Sequence, residues 1–280
     1  MHTVTPGGKV TNRLSTTSKP YYQDDQATIY QGDALEVLKD MPTASVDALV
    51  TDPPYSSGGM VRGDRTGSDV KSKYSGSYGK QPSHTDFTGD NRDQRGYGYW
   101  LALWLSESLR IVRPGGVAIL FTDWRQLPMT TDAIQSGGWV WRGIVPWSKP
   151  TSRPMPGGFS SSCEYVVWGS AGPMERDYQN GVYLPGFFSS ASPRDREHLT
   201  QKPVDVMRNL VKVAPEGGTI LDPFMGAGTT GVAAMIERRK FIGVEMVPEF
   251  AAISERRIRE AQGHAIAHGD QESLDFGGTK

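Results

Sequence analysis

The stretch TILDPFMGAGTTGVAAMIERR, residues 219–239, constrains the fold more than any other part of the chain. An apolar run, TILDPF, leads straight into Gly226, Gly228 and Gly231, and an apolar helical pattern follows at once. That order describes a strand, a tight turn and a helix N-terminus, the unit from which parallel sheets with flanking helices are built. The spacing Gly226-Ala227-Gly228-Thr229-Thr230-Gly231 matches the dinucleotide pattern GxGxxG, and Glu245 closes the next apolar run, FIGVEM. A turn of this kind lets a ligand approach the backbone, and the distant carboxylate suits ribose hydroxyls. These features serve any nucleoside-bearing cofactor, so an NAD-binding oxidoreductase is an open alternative, as is a turn with a structural role only. Asp222, before Pro223 and Phe224, weighs against a phosphate: its carboxylate would repel a pyrophosphate and would pair with the ammonium group of S-adenosylmethionine. A P-loop would need a lysine that the turn lacks.

A second strand end carries the other unusual feature. The run VDALVTD, residues 46–52, ends in Asp52-Pro53-Pro54-Tyr55. Two successive prolines remove two backbone donors and fix φ, so the sheet cannot continue and the adjacent carbonyls are rigid and unpaired. Asp52 and the Pro53 carbonyl can accept the two N–H bonds of an exocyclic amino group, and Tyr55 can stack on the flat molecule that bears it. A turn with a surface tyrosine is the plainer alternative.

The rest of the chain supplies an α/β framework. ATIYQGD at 27–33, VAILFTD at 117–123, WVWRGIVPWS at 139–148 and EYVVWGS at 164–170 read as strands. Helices are expected over ALEVLKDM, over WLALWLSESLRIV at 100–112, after Pro203 in VDVMRNLVKV, and over PEFAAISERRIREAQ. The expected organisation is a catalytic domain over 23–262, with polar tails at 1–22 and 263–280. Two segments interrupt it: an insert at 56–99 and an irregular region at 149–197. The insert interleaves Arg62, Arg65, Lys71, Lys73, Lys80, Arg92 and Arg95 with aromatic residues, a mixture suited to phosphates and unstacked bases. It is read as a lid that contacts DNA, with a plain solvated loop as the alternative. The tryptophans at 139, 141 and 147 are expected in the core.

Composition narrows the function classes. The formal net charge of -1 requires any nucleic-acid binding to come from a local basic surface. The single cysteine, Cys163, excludes an internal disulfide and a cysteine-rich metal site. No apolar run reaches the length of a membrane span, and MHTVTPGGKV lacks a signal peptide's apolar stretch, so no membrane association and a cytoplasmic location are expected.

LDPFMGAGTTG and TDPPY, in that reversed order along the chain, resemble the beta group of DNA amino-methyltransferases, of phage and bacterial modification type. HLTQKP at 198–203 is similar to the family's HPTQKP, with Leu199 in place of a proline; RPGG at 113–116, WSKP and CEYVVWG also match, so the resemblance spans about 27–262. It implies a doubly wound, mostly parallel seven-stranded sheet, Rossmann-like and circularly permuted so that the cofactor strand comes late. It implies transfer of methyl from S-adenosylmethionine to adenine N6, or alternatively cytosine N4, in double-stranded DNA after base flipping. Asp52, where some members have Ser, favours adenine. On the resemblance, Asp52, Pro53, Pro54 and Tyr55 are catalytic. Asp33, Thr200, Gln201, Lys202, Asp222, Pro223, Phe224, Gly226, Gly228, Thr229 and Glu245 bind cofactor, and neither a metal nor a covalent intermediate is needed. A homodimer and a companion restriction enzyme are both compatible with it. A DNA-binding protein without turnover is the non-enzymatic alternative, and the intact Asp52 and Tyr55 argue against it. His198 reads as a helix-entry residue, and Glu164 either pairs with a loop cation or only starts a strand.

Overall fold

The computed structural model describes residues 19–55, 92–150, 156–174, 181, 183–191 and 202–275, with side chains to 263. Strand β1 (Tyr22–Gln23) pairs antiparallel with β2 (Ala27–Gln31), which leads into helix α1 (Ala34–Asp40) and then β3 (Val46–Thr51). Helix α2 (Gln94–Ile111), β4 (Val112–Thr122) and α3 (Leu127–Ser136) follow, then β5 (Val140–Ser148), β6 (Cys163–Ser170) and β7 (Phe188–Ser189). The chain finishes with α4 (Val204–Leu210), a 3₁₀ turn at Val211–Val213, β8 (Thr219–Asp222), α5 (Thr229–Ile236), β9 (Lys240–Glu245) and α6 (Pro248–Asp275).

All strands join one sheet in the order β1-β2-β9-β8-β3-β4-β6-β5-β7. From β2 to β4 every pairing is parallel, and β6 lies antiparallel between β4 and β5. The seven-stranded sheet implied by the resemblance is thus present, with two-residue strands β1 and β7 added at its edges. The central parallel strands bury both faces because helices cover both. Ala48, Val50, Ile119 and Phe121 point toward α4, α5 and α6, joining Val206, Ala233 and Ile258 in one core. Leu49, Ala118 and Leu120 point the other way, onto Leu38, Leu101, Trp104 and Ile134 from α1, α2 and α3. Chain order reverses between β8 and β3: β8 proceeds through α5 to β9 on one side, and β3 proceeds to β4 on the other. In such sheets a crevice opens outside the carboxyl ends of the strands at the switch point.

Several expectations need correction. Helix α2 begins at Gln94, not Trp100, so the insert stops short of Tyr99; the Asp93 carboxylate caps the helix through the Gly96 N–H, and Tyr97 is fully buried. Residues 56–91 of the insert lie outside the described residues, as do 1–18 and 276–280 of the expected tails. Helix α3 was not expected. Helix α6 continues to Asp275, beyond the expected boundary near 262, and Tyr22 belongs to an edge strand instead of a tail. Trp139 and Trp147 are buried as expected, but Trp141 stands 41% exposed on β5.

Candidate active site

The carboxyl ends of β3 and β8 meet at the switch point through a side-chain bond: Thr51 Oγ1 donates to Asp222 Oδ1 at 2.6 Å. The bond holds the TDPPY end and the glycine-turn end in fixed register. Asp222 also accepts the Phe224 N–H at 3.1 Å and is 1% exposed. Burial pushes its carboxyl up to about 7, against the pull of bonds from Thr230, Thr51 and the Phe224 backbone.

A cavity of about 140 Å³ opens beside this junction. Asp33, Asp52, Pro53, Pro54, Tyr55, Lys202, Pro223, Phe224, Gly226 and Glu245, all expected site residues, line it. Each is placed by a local cause. Asp33 caps α1, accepting from Leu35 N at 2.9 Å and Glu36 N at 3.3 Å. Glu245 ends β9 and accepts Gly226 N–H on Oε2 at 3.0 Å and Val247 N–H on Oε1 at 2.8 Å, which ties the glycine turn to the neighbouring strand. Burial raises the Glu245 carboxyl, partly offset by these backbone bonds. Leu35, Trp100 and Phe250 supply apolar wall that the sequence reading did not single out, and Trp100 carries the Arg92 guanidinium 4.4 Å from its ring centroid.

The glycines divide in role. Gly226 has φ +51, and a Cβ there would meet nothing within 4 Å, so its backbone faces open space. Gly228, at φ +76, instead packs on α6: a Cβ there would lie 2.6 Å from Ser254 Cβ. Gly228 is therefore a packing glycine, and it is not among the residues that line this cavity. Thr229 lines a smaller adjoining cavity with Asp52, Lys202, Asp222 and Phe224. Thr200 and Gln201, with His198, lie outside the described residues.

Lys202 lines the cavity and has partners that the sequence reading did not foresee. Expected against a cofactor, it is 5% exposed and donates to Asp52 Oδ2 at 2.6 Å, with Glu164 Oε2 3.3 Å away. Its ammonium also lies 5.2 Å from the ring centroids of Tyr55 and of Phe121, a cation–π setting. Glu164 meets Lys149 through Oε1 at 2.8 Å, so the loop-cation alternative holds and a second cation joins it. The other oxygen of Asp52, Oδ1, accepts the Tyr55 hydroxyl at 2.5 Å, and that hydroxyl is also 3.4 Å from Glu164 Oε2. Two acids, two lysines and a phenol thus form one network with balanced charge. Burial raises Asp52, with Lys202 opposing it and Glu164 reinforcing it. For Glu164 burial acts upward too, but Lys202 and Lys149 outweigh it and hold the carboxyl below its ordinary range. Burial alone would depress Lys202; Asp52 and Glu164 overcome that and raise it.

The donor set fits S-adenosylmethionine better than a dinucleotide. Three carboxylates, Asp33, Asp222 and Glu245, surround the apolar wall and the open backbone at Gly226. Of the two lining cations, Lys202 is committed to acids and Arg92 lies over Trp100. The carboxylates repel phosphate and suit an ammonium and ribose hydroxyls. Among the described residues no group of three or more His, Cys, Asp or Glu side chains could hold a metal ion, and no helix is long and apolar enough to cross a membrane.

Known proteins resemble this chain in sequence and in fold. A family model described as DNA methylase, of N6/N4 type, matches residues 46–256. The chain is 25% identical over 269 residues to the type II methyltransferase M2.LlaDCHI of Lactococcus lactis subsp. cremoris, covering 89% of this chain and 95% of the relative. It is 26% identical over 261 residues to M2.DpnII of Streptococcus pneumoniae, covering 86% and 92%. Among solved structures it resembles the M1.HpyAVI–SAM complex, with a TM-score of 0.59 and 24% identity over 83% of this chain and 98% of that one. It also resembles the cytosine-N4-specific PvuII DNA methyltransferase, with a TM-score of 0.66 and 17% identity over 90% and 96%. At those identities the structures speak for a shared fold; the family match, which covers most of the chain and both strand-end motifs, speaks for more: this chain belongs to the N6/N4 DNA methylase family.

Proposed function

We propose that this DNA methylase transfers the methyl group of S-adenosylmethionine to the N6 amino group of adenine in duplex DNA. The observation that carries the reading is the Asp52 carboxylate, which lines the same cavity as Gly226 of the glycine turn. When bound, adenosylmethionine supplies an electrophilic methyl group on a sulfonium. Glu245 and Asp33 would hold its ribose and adenosyl parts, the Pro223–Phe224 wall and Gly226 its adenosyl ring, and Asp222, with Thr229, its ammonium end.

The protein's part in the transfer is electrostatic. An adenine amino nitrogen donates its lone pair into the ring, so it becomes nucleophilic only as it pyramidalises. Asp52 and the Pro53 carbonyl accept its two N–H bonds and favour that geometry, and the charge that develops on nitrogen is stabilised by Asp52. The bound cofactor would supply the methyl group, its C–S bond breaking as the C–N bond forms, and Asp52 would accept the proton lost from nitrogen and pass it to solvent. The target base must leave the duplex, at a cost of a few kcal/mol, and the Tyr55 ring recovers part of it by stacking. Contact with the DNA is assigned to the insert at 56–99, and the irregular region at 149–197 is the second candidate for reading its sequence; 56–91 and parts of the second lie outside the described residues.

Mass spectrometry of nucleosides from cells expressing the protein tests the reading. N6-methyladenine is expected, and must disappear with Asp52→Ala. N4-methylcytosine would transfer the proposal to the cytosine reaction, and neither base would overturn it.

A further inference from the structure

Asp52 has two side-chain donors, the Tyr55 hydroxyl and the Lys202 ammonium, and Glu164 is the second acceptor of both. The arrangement matters because Asp52 is occupied. Oδ1 takes the Tyr55 hydroxyl at 2.5 Å and Oδ2 takes Lys202 at 2.6 Å, the same oxygens that an incoming amino group needs. A base can engage Asp52 only if at least one donor lets go. In a buried site a donor that lets go without another acceptor is left unsatisfied, which is costly, and more so when it is charged. We infer that Glu164 is a positioning residue for the methyl transfer, receiving the Tyr55 hydroxyl, and a larger share of the Lys202 ammonium, when the target amino group takes their place on Asp52. The inference rests on the proposed amino-methyltransferase reading.

Three features of the structure support the exchange. Glu164 Oε2 already faces both donors, at 3.4 Å from the hydroxyl and 3.3 Å from the ammonium, so a small rotation suffices. Its other oxygen is fixed by Lys149 at 2.8 Å, which anchors the carboxylate without using the oxygen that faces the site. The second residue of β6, Glu164 also stands directly opposite Trp147 of β5, and the next residue, Tyr165, pairs with both β4 and β5, which anchors the backbone beside it. Moving Tyr55 by its hydroxyl would in addition release its ring, which lines the cavity, for stacking.

Glu164→Gln keeps the shape and removes the charge and half of the acceptor capacity. On plasmid DNA that the wild-type protein methylates, the single-turnover rate of this variant should fall about tenfold or more, with adenosylmethionine affinity, by calorimetry, within about threefold of wild type. A double-mutant cycle with Tyr55→Phe separates positioning from general damage. Without its hydroxyl the ring needs no second acceptor, so Tyr55→Phe should cost clearly less in the Glu164→Gln background than in wild type. Should Glu164→Gln fail to fold, Glu164→Asp carries the same test, because it withdraws the carboxylate from the Tyr55 hydroxyl while the lysines keep a partner. A wild-type rate, losses that simply add, or affinity that falls in step with the rate would overturn the inference. Wild-type protein that leaves DNA unmethylated would instead remove the functional reading on which it stands.

Discussion

Gly226 and Gly228 lie two residues apart in one turn, yet alanine at each should fail for a different reason. Both have positive φ, so each substitution pays the left-handed penalty of about 1–2 kcal/mol. At Gly228 a second cost adds. The new Cβ would fall 2.6 Å from Ser254 Cβ and 3.0 Å from Ser254 Cα, and Ser254 sits on α6 with no exposure, so the helix itself must move. Overpacking of that kind costs about 1–3 kcal/mol, which brings Gly228→Ala to about 2–5 kcal/mol. For a chain of this size that predicts a melting temperature lower by roughly 5–15 °C. At Gly226 the added methyl meets no protein atom within 4 Å, so the melting temperature should drop by roughly 2–6 °C. The methyl would instead occupy ligand space, and adenosylmethionine affinity should fall about tenfold or more. Differential scanning fluorimetry and calorimetry on the two variants read the two effects separately. A Gly228→Ala protein that melts with the wild type, or a Gly226→Ala protein that binds adenosylmethionine as tightly, would refute the division of roles.

Three further outcomes follow from the site. Asp52→Ala should abolish methylation while adenosylmethionine affinity, by calorimetry, stays within about threefold of wild type, since Asp52 is assigned to the base. Glu245→Ala should instead weaken adenosylmethionine by about tenfold or more: it removes the proposed ribose acceptor and leaves the Gly226 and Val247 N–H groups without their partner. Loss of cofactor binding in Asp52→Ala but not in Glu245→Ala would exchange the two assignments. Asp222 governs pH dependence. With its carboxyl raised from 3.8 to about 7, the folded state binds a proton that the unfolded state has released between those values, so stability falls as pH rises from about 4 to about 7. The full difference is about 4 kcal/mol. Asp222→Asn should flatten that part of the ligand-free melting profile, and a slope equal to the wild type's would show that Asp222 is ionised throughout.

The parallel framework could be read from the chain because its causes are local. Apolar runs of four to six residues that end in an acid or a glycine announce β2, β3, β8 and β9, and proline or glycine marks where the neighbouring helices stop or start. Helix α3 escaped because its buried face consists of Thr130, Ala133 and Ile134, of which only Ile134 is strongly apolar, and Pro128 resembles a breaker although it sits in the first turn. The first turn of α2 was hidden by Gly96 and Gly98 within a charged stretch. Asp93, bonded to the Gly96 N–H, was the available sign of a helix start.

The site was legible wherever a motif carried its own chemistry and illegible wherever a residue acquired its role from a distant partner. Asp52 announces itself through the prolines after it, and Asp222 through the glycines. Lys202 is bonded to Asp52 across 150 positions, and Tyr55 reaches Glu164 across 109, separations at which no periodicity operates. One physical signal was nevertheless present. Lys202 directly precedes Pro203, the N-cap of α4, where the helix dipole repels a cation, so a lysine there with little solvent access requires an acid from elsewhere in the fold. The same reasoning applies to the acid: a carboxylate delivered to a buried strand end beside two prolines, which offer no N–H, must be balanced by a side-chain donor. Charge balance in a buried site therefore predicts that an unpaired cation and an unpaired anion, each unfavourable where the chain places it, are partners. In this site the rule is met by Lys202 with Asp52 and by Lys149 with Glu164.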